Sequence, residues 1–341
     1  MYSSNPSKRR RIEKGTGSSP TLTISGSGNE HSHETESENL YSLIGAKEWK
    51  RVADKVKENP RIVSSCTKEP SLLALSCRSG APYDCVKEIL DSAPRKLRHL
   101  VDSRGTPLHE AILCENVGPK VVNYLLEVDE KLGSDGDSNS LRATMIQDVD
   151  GCTPLHLLIQ RRFQSHVLAD ANESEESHFL EILESLVRSC PEAIVIPDRG
   201  EHEEPPIVMA IKTYIYAPML QSEETSTVRI ERHIFNMLNC MIQHYPEAAS
   251  TAFNGNRGQY TALLSALFHG RCPDTIELLL NAEKQSASKI SQNACLRGNT
   301  QGELPLHFCA MRGEPPRTVA LLAKAAPEAI RKRDASGLTP L

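Results

Sequence analysis

Apolar side chains recur along this chain at helical spacing, in short runs divided by polar stretches rich in Gly and Pro. The runs are Val86 to Leu90, Val121 to Leu126, Leu180 to Val187, Phe235 to Ile242, Ile276 to Leu280 and Val319 to Leu322. Most place apolar residues at i, i+3 and i+4, the mark of a half-buried helix. Ahead of each run lies a second helix start. Thr106-Pro107-Leu108-His109 recurs as Thr153-Pro154-Leu155-His156, as Leu304-Pro305-Leu306-His307, and as Thr339-Pro340-Leu341. Thr is a good N-cap, because its hydroxyl can accept from an amide of the first turn. Pro at the first helical position has its φ preset and needs no amide partner. Leu opens the buried face, and His can bond back toward the cap as Glu or Gln does in a capping box. The same frame fits Ser71-Leu72-Leu73, Pro205-Pro206-Ile207-Val208 and Thr261-Ala262-Leu263, with parts of the motif lost.

The apolar runs share an ending. Cys190-Pro191-Glu192-Ala193, Tyr245-Pro246-Glu247-Ala248 and Ala326-Pro327-Glu328-Ala329 each stop a helix with Pro, and Ala93-Pro94-Arg95 is a divergent copy. Nearer the N-terminus, Trp49, Val52, Ala53 and Val56 follow i, i+3, i+4, i+7 with charged residues between them. This predicts the second helix of a terminal unit with a polar outer face, ended by Pro60.

The turn before the helix start repeats as well. Asp148-Val149-Asp150-Gly151, Asn299-Thr300-Gln301-Gly302 and Asp334-Ala335-Ser336-Gly337 each join an Asx-type turn to a Gly that supplies positive φ. The pattern D-x-x-G-x-T-P-L-H resembles the ankyrin repeat, a β-turn followed by two antiparallel helices. The resemblance implies an all-α solenoid over residues 39–341, with an N-terminal cap at 39–60, about six repeats and a truncated last unit. The Leu-type positions from 73 to 341 begin and end near the ankyrin period of roughly 33 residues. The middle intervals are longer. Their extra residues, at about 131–143, 163–178, 214–228 and 282–297, are expected to form loops, including the acidic clusters Glu173 to Glu176 and Glu223-Glu224. Tyr214, Tyr216, Met219 and Leu220 make one of these insertions apolar; it reads equally as a contact patch or as an extension of the first helix.

Composition changes the picture mainly by exclusion. A formal charge of −5 over 341 residues gives no global case for nucleic acid or membrane. No run of about 18 apolar residues predicts a membrane span. The ten cysteines form no C-x-x-C pair and read as reduced, mostly buried thiols of an intracellular protein. Residues 1–38 are poor in apolar side chains and are expected to be disordered. They carry Lys8-Arg9-Arg10-Arg11, either a short nuclear-import signal or a solvated charge cluster. His31 and His33 would supply only two ligands on a flexible tail, a poor metal site.

No catalytic motif is present: no G-x-G-x-x-G, P-loop, H-E-x-x-H or G-x-S-x-G. His109, His156 and His307 are explained by the helix start. Catalytic, metal and cofactor residues are therefore expected to be none, and the chain is read as a monomeric, non-enzymatic protein. The resemblance implies that partners bind through the turn tips and the exposed ends of the first helices. Carried onto this sequence, the helix positions are Arg78 and Ser79, Leu113 and Cys114, Gln160 and Arg161, Lys212 and Thr213, Phe268 and His269, and Met311 and Arg312. The tips are Arg104, Asp150, Arg199, Arg257 and Gln301. No acid occurs among the helix positions, which predicts a basic groove for an acidic, extended protein segment. The corresponding role is a scaffold or adaptor in nucleus or cytoplasm. Its rivals are the regulatory part of a larger enzyme or channel and, on the basic tail alone, a nuclear transcription cofactor.

Overall fold

The computed structural model describes residues 39–340 apart from 67–69, 99–103, 115–116, 135–140, 165–172, 201–202, 213–223, 256–257 and 287–292. The basic run Lys8 to Arg11, and Arg257, Tyr214, Tyr216, Met219 and Leu220, lie outside the described residues.

Three helices open the fold: α1 (39–45), α2 (Trp49–Glu58) and α3 (Arg61–Ser65). Val52 and Val56 of α2 are buried, as their spacing predicts, and α3 continues the cap past Pro60. Six helix pairs follow: α4 (Leu72–Arg78) with α5 (Tyr83–Ser92), α6 (Pro107–Leu113) with α7 (Pro119–Ser134), α8 (Pro154–Gln164) with α9 (Glu173–Ser189), α10 (Pro206–Lys212) with α11 (Glu224–His244), α12 (Ala262–Phe268) with α13 (Pro273–Gln285), and α14 (Pro305–Arg312) with α15 (Pro316–Ala325). They are numbered units 1 to 6 below. Each first helix packs on the first helix of the next unit, and each second helix on the next second helix. Two layers result, with one continuous core between them. The residues that open the buried faces, Leu73, Leu108, Leu155, Ile207, Leu263 and Leu306, are each at most 1% exposed. Apolar burial of this kind is the main drive for stacking one unit on its neighbour.

The Pro-Glu-Ala sequence does more than end a helix. After α5, α9, α11 and α15 it starts a 3-10 turn: Pro94–Arg98, Pro191–Val195, Pro246–Ala249 and Pro327–Arg331. The residue before Pro takes φ between −143° and −151° in all four. The turn inserts Ala193, Ala248 and Ala329 into the core. Units 2 and 5 lack this Pro, yet Ala143 and Ala294 fill the same role. There a carboxylate replaces the proline's constraint: Asp129 of α7 accepts from the Ala143 amide at 3.0 Å, and Glu283 of α13 accepts from the Ala294 amide.

Two expectations need correction. The insertions are not wholly loops, because the second helices take in one end of each: α7, α9 and α11 run to 16, 17 and 21 residues against 10 for α5 and α15. The acidic cluster at Glu173 to Glu176 is the first turn of α9, where carboxylates favour a helix N-terminus. Glu224 likewise begins α11. The second correction concerns the joint between units 4 and 5. Instead of a turn it is an antiparallel hairpin, β1 (Ala252–Gly255) with β2 (Gly258–Thr261). Its short alternation buries Phe253 and exposes Asn254, which suits a strand with one covered face.

Candidate partner-binding face

The first helices are held by two kinds of cap. In units 1 and 5 the cap hydroxyl accepts from the first turn: Ser71 from the Ala74 amide at 3.2 Å, Thr261 from the Leu264 amide at 3.3 Å. Where His follows the Leu, the roles reverse. The Thr106 amide donates to His109 Nδ1 at 3.0 Å, and the Thr106 hydroxyl lies 2.8 Å from the same nitrogen. An amide can only donate, so Nδ1 is the acceptor and the proton sits on Nε2. Nε2 then donates to the Cys152 carbonyl of unit 3 at 3.1 Å. The arrangement repeats at His156, which reaches the Glu204 carbonyl of unit 4 at 3.0 Å. It repeats at His307, which reaches Leu338 at 3.1 Å. Each ring is thus a cap within its unit and a bridge to the next. Burial pushes the His109 pKa down to about 4 and the His156 pKa down as well, so these rings are neutral near pH 7.

The turns that carry the tips are built alike. Asp148 accepts from the amides of Asp150 and Cys152, Asp198 from Gly200 and Glu204, Asn299 from Gln301 and Glu303, and Asp334 from Ser336 and Leu338. Successive turns also bond to each other: the Arg199 amide to the Asp150 carbonyl at 3.1 Å, and the Ala335 amide to Gln301 at 2.8 Å. Gly151 has φ +77°, and a Cβ on it would lie 2.2 Å from the Arg199 nitrogen. Glycine is therefore required there by both conformation and space. In unit 4 the corresponding position is Glu203, at φ 48°.

The structure divides the residues expected on the face. Arg104, Gln160 and Arg199 are exposed, and so are Leu113, Phe268, Met311 and Arg312 at the ends of their helices. Several of the cations are not open charges. Arg78 grips the carboxylate of Glu110 in unit 2, with Nε to Oε2 at 2.8 Å. Lys212 pairs with Glu204. Arg312 donates to the Phe268 carbonyl and lies 3.7 Å from Glu314. Arg161 donates to the Ile112 carbonyl at 2.6 Å. Arg161 and Arg312 share one geometry: each reaches back to a carbonyl in the last turn of the preceding first helix, where the helix dipole favours a cation. These arginines staple neighbouring units. The pattern of helix positions alone missed their acids, since Glu110, Glu204 and Glu314 fall outside it. Burial, then Lys212, Arg271 and Arg312, lower the His269 pKa to about 4, so it adds no charge except in strong acid.

Two charged clusters escaped the sequence frame. Arg98, in the 3-10 turn of unit 1, donates to Asp129 of α7 at 2.6 Å, and Asp129 is 1% exposed. Arg162 is buried on α8, with its guanidinium 5.5 Å from the Phe179 ring. Its Nε lies 3.4 Å from His233 of α11, whose other nitrogen lies 3.4 Å from Glu176 of α9. Burial and then Arg162 lower the His233 pKa. These pairs tie units together across more than 30 residues of sequence, a separation that local patterns do not report.

The described residues hold no group of three His, Cys, Asp or Glu side chains placed to bind a metal. None of their helices is long and apolar enough to cross a membrane. The ten cysteines form no disulfide, and burial pushes the thiols of Cys85 and Cys240 up to about 11 and those of Cys152, Cys295 and Cys309 up to about 12. Such thiols are poor nucleophiles at neutral pH.

No protein-family profile matches the chain, and no curated protein matches it. Among solved structures it is similar to the ankyrin repeat domain of Bcl-3, described as a unique member of the IkappaB protein family. The identity is 17%, with a TM-score of 0.49 over 80% of this chain and 92% of that one. The capped helix pairs, the Asx turns and the two stacked layers make this fold an ankyrin-repeat solenoid.

Proposed function

We propose that the chain is a non-catalytic scaffold or adaptor that binds a protein partner along the face formed by the first-helix ends and the turn tips. One observation carries the reading. The first helices are buried through most of their length, then present exposed side chains at or near their C-terminal ends in units 2, 3, 5 and 6: Leu113, Gln160, Phe268, Met311 and Arg312. Side chains that vary in chemistry on a rigid, repeated frame suit recognition better than catalysis. The tips add Arg104 and Arg199, which make no side-chain hydrogen bond among the described residues. Their charge favours an acidic partner and would speed its encounter.

Photo-crosslinking tests the face. A photoreactive residue at Gln160 or Met311 should capture the partner in cells, and one at Glu127, exposed on the second helix α7, should not. Equal capture from both sides would end the reading. Reversing Arg104 and Arg199 to Glu tests the charge. Association should slow and lose part of its salt dependence, and an unchanged rate would remove the acidic partner.

A further inference from the structure

We propose that the last turns of α12 and α14 form a discrete docking epitope, Phe268, His269, Met311 and Arg312, for a protein segment that sets a bulky apolar side chain beside a carboxylate. The inference rests on the face described above and names its centre and the chemistry of its partner.

Phe268 is 42% exposed and Met311 60% exposed, at the ends of successive first helices. A single exposed hydrophobe on a surface needs no explanation. Here two occupy the same structural position in adjacent units, and one is held in place. The His269 ring stands edge-on to the Phe268 ring, with centroids 5.1 Å apart and planes at 87°. The Arg312 guanidinium lies 6.0 Å from the Phe268 centroid, while its Nη1 donates to the Phe268 carbonyl. An aromatic ring fixed before a partner arrives loses little entropy on binding, and Met adapts its shape to what it meets. Aromatic side chains and Arg are the common energetic centres of protein interfaces.

The polar groups give the second half of the recognition. Nη1 and Nε of Arg312 face the Phe268 carbonyl and Glu314, but its Nη2 makes no hydrogen bond among the described residues. That nitrogen sits above Gly270, where even a Cβ would be 3.8 Å away. The His269 ring nitrogens also make no hydrogen bond among the described residues. The charges bearing on His269 are Lys212 of α10, Arg271 and Arg312, all cations. Each is held by a carboxylate of its own: Glu204, Glu231 and Glu314. A neutral imidazole among cations offers an N–H donor beside the Arg312 donor. A carboxylate accepts from both, and a charge-assisted bond to Arg is stronger than a neutral one.

The probe is a twelve-residue peptide alternating Leu with Glu, titrated into the full chain carrying labelled Met methyl and His ring carbons. The Met311 methyl and His269 ring signals should move on binding. F268A and R312Q should each raise Kd about tenfold or more with the helical fold retained, R312Q losing some Tm with its staple, and a peptide with Gln for Glu or Ser for Leu should bind correspondingly less tightly to the unaltered chain. Binding that ignores F268A and R312Q, or equal binding of the Glu and Gln peptides, would overturn the epitope. Signals that move only near Leu113 or Gln160 would overturn the epitope and keep the wider face. No change at any first-helix position would remove both. Self-association abolished by F268A, with no peptide binding, would assign the patch to a second copy and equally overturn the proposal.

Discussion

The joints between units 2, 3 and 4 and the joint between units 4 and 5 do the same work by different means. In the first region a buried imidazole caps one helix and bonds the carbonyl that precedes the next. In the second, Val208 takes the place of His, and the hairpin of β1 and β2 replaces the Asx turn. The reason lies three residues earlier, at the cap position. Unit 4 begins with Pro205, which has neither amide proton nor hydroxyl to give an imidazole. A His at position 208 would have its acceptor nitrogen buried without a donor, and an apolar side chain avoids that cost. Unit 6 shows which donor matters. Leu304 has no hydroxyl, yet its amide still bonds His307. The motif is therefore a backbone amide followed three residues later by His, with Thr adding a second bond where it is present.

The two regions should be equal in their cores and unequal in their joints. Leu155 and Leu263 are each 1% exposed, so Leu155→Ala and Leu263→Ala should both cost about 2 to 5 kcal/mol in denaturant unfolding. A large difference between them would mean that packing rather than capping separates the regions.

His156→Ala leaves the Thr153 amide and the Glu204 carbonyl without their partner. Each such loss costs about 1 to 3 kcal/mol, so a total of about 2 to 6 is expected. Thr261→Ala removes a single conventional cap and should cost about 1 kcal/mol. Equal effects would erase the distinction between the joints.

Acid should act on the bridges. The folded chain holds His109 at a pKa of about 4 against 6.5 for the free side chain. Between these values the unfolded state binds the extra proton, so stability is full above pH 6.5 and falls as pH drops toward 4. The loss for one such group is about 3 kcal/mol. His109→Gln can keep the cap and does not titrate, so its unfolding free energy should depend less steeply on pH over this window. An unchanged slope would transfer the acid response to His156, His233 and His269.

The smallest expected effect is a gain. Glu203 adopts a left-handed φ that costs an L side chain about 1 to 2 kcal/mol, partly offset by the freedom that Gly has when unfolded. Glu203→Gly should therefore stabilise unit 4 by about 0.5 to 1 kcal/mol. A loss of stability in thermal unfolding would show that the Glu203 side chain contributes contacts that outweigh its strain.

The repeat was legible because its physics is local. Cap, first buried Leu and Asx turn all lie within about ten residues, and each has a residue type that carries its role. The hairpin was less visible, since β1 and β2 are only four residues each and their alternation is too short to stand out. The lengthened second helices were read as loops because polar, acidic first turns such as Glu173 to Glu176 look alike in both settings. On the proposed face, the sequence marks side chains at the helix ends but not the acids that pair with several of them. Glu110 stands opposite Arg78 only once units 1 and 2 are stacked, while Glu204 and Glu314 lie within the same units as Lys212 and Arg312 but outside the helix positions.

Hydrogen exchange on His109→Ala tests the central claim most directly, because that ring belongs to one unit and bonds the next. Amides at the start of α6 and around Cys152 and α8 should lose protection together, while α12 to α15 keep theirs, as nearest-neighbour coupling requires. Uniform loss across all six units, or unaltered protection at Thr106 and in α8, would contradict it.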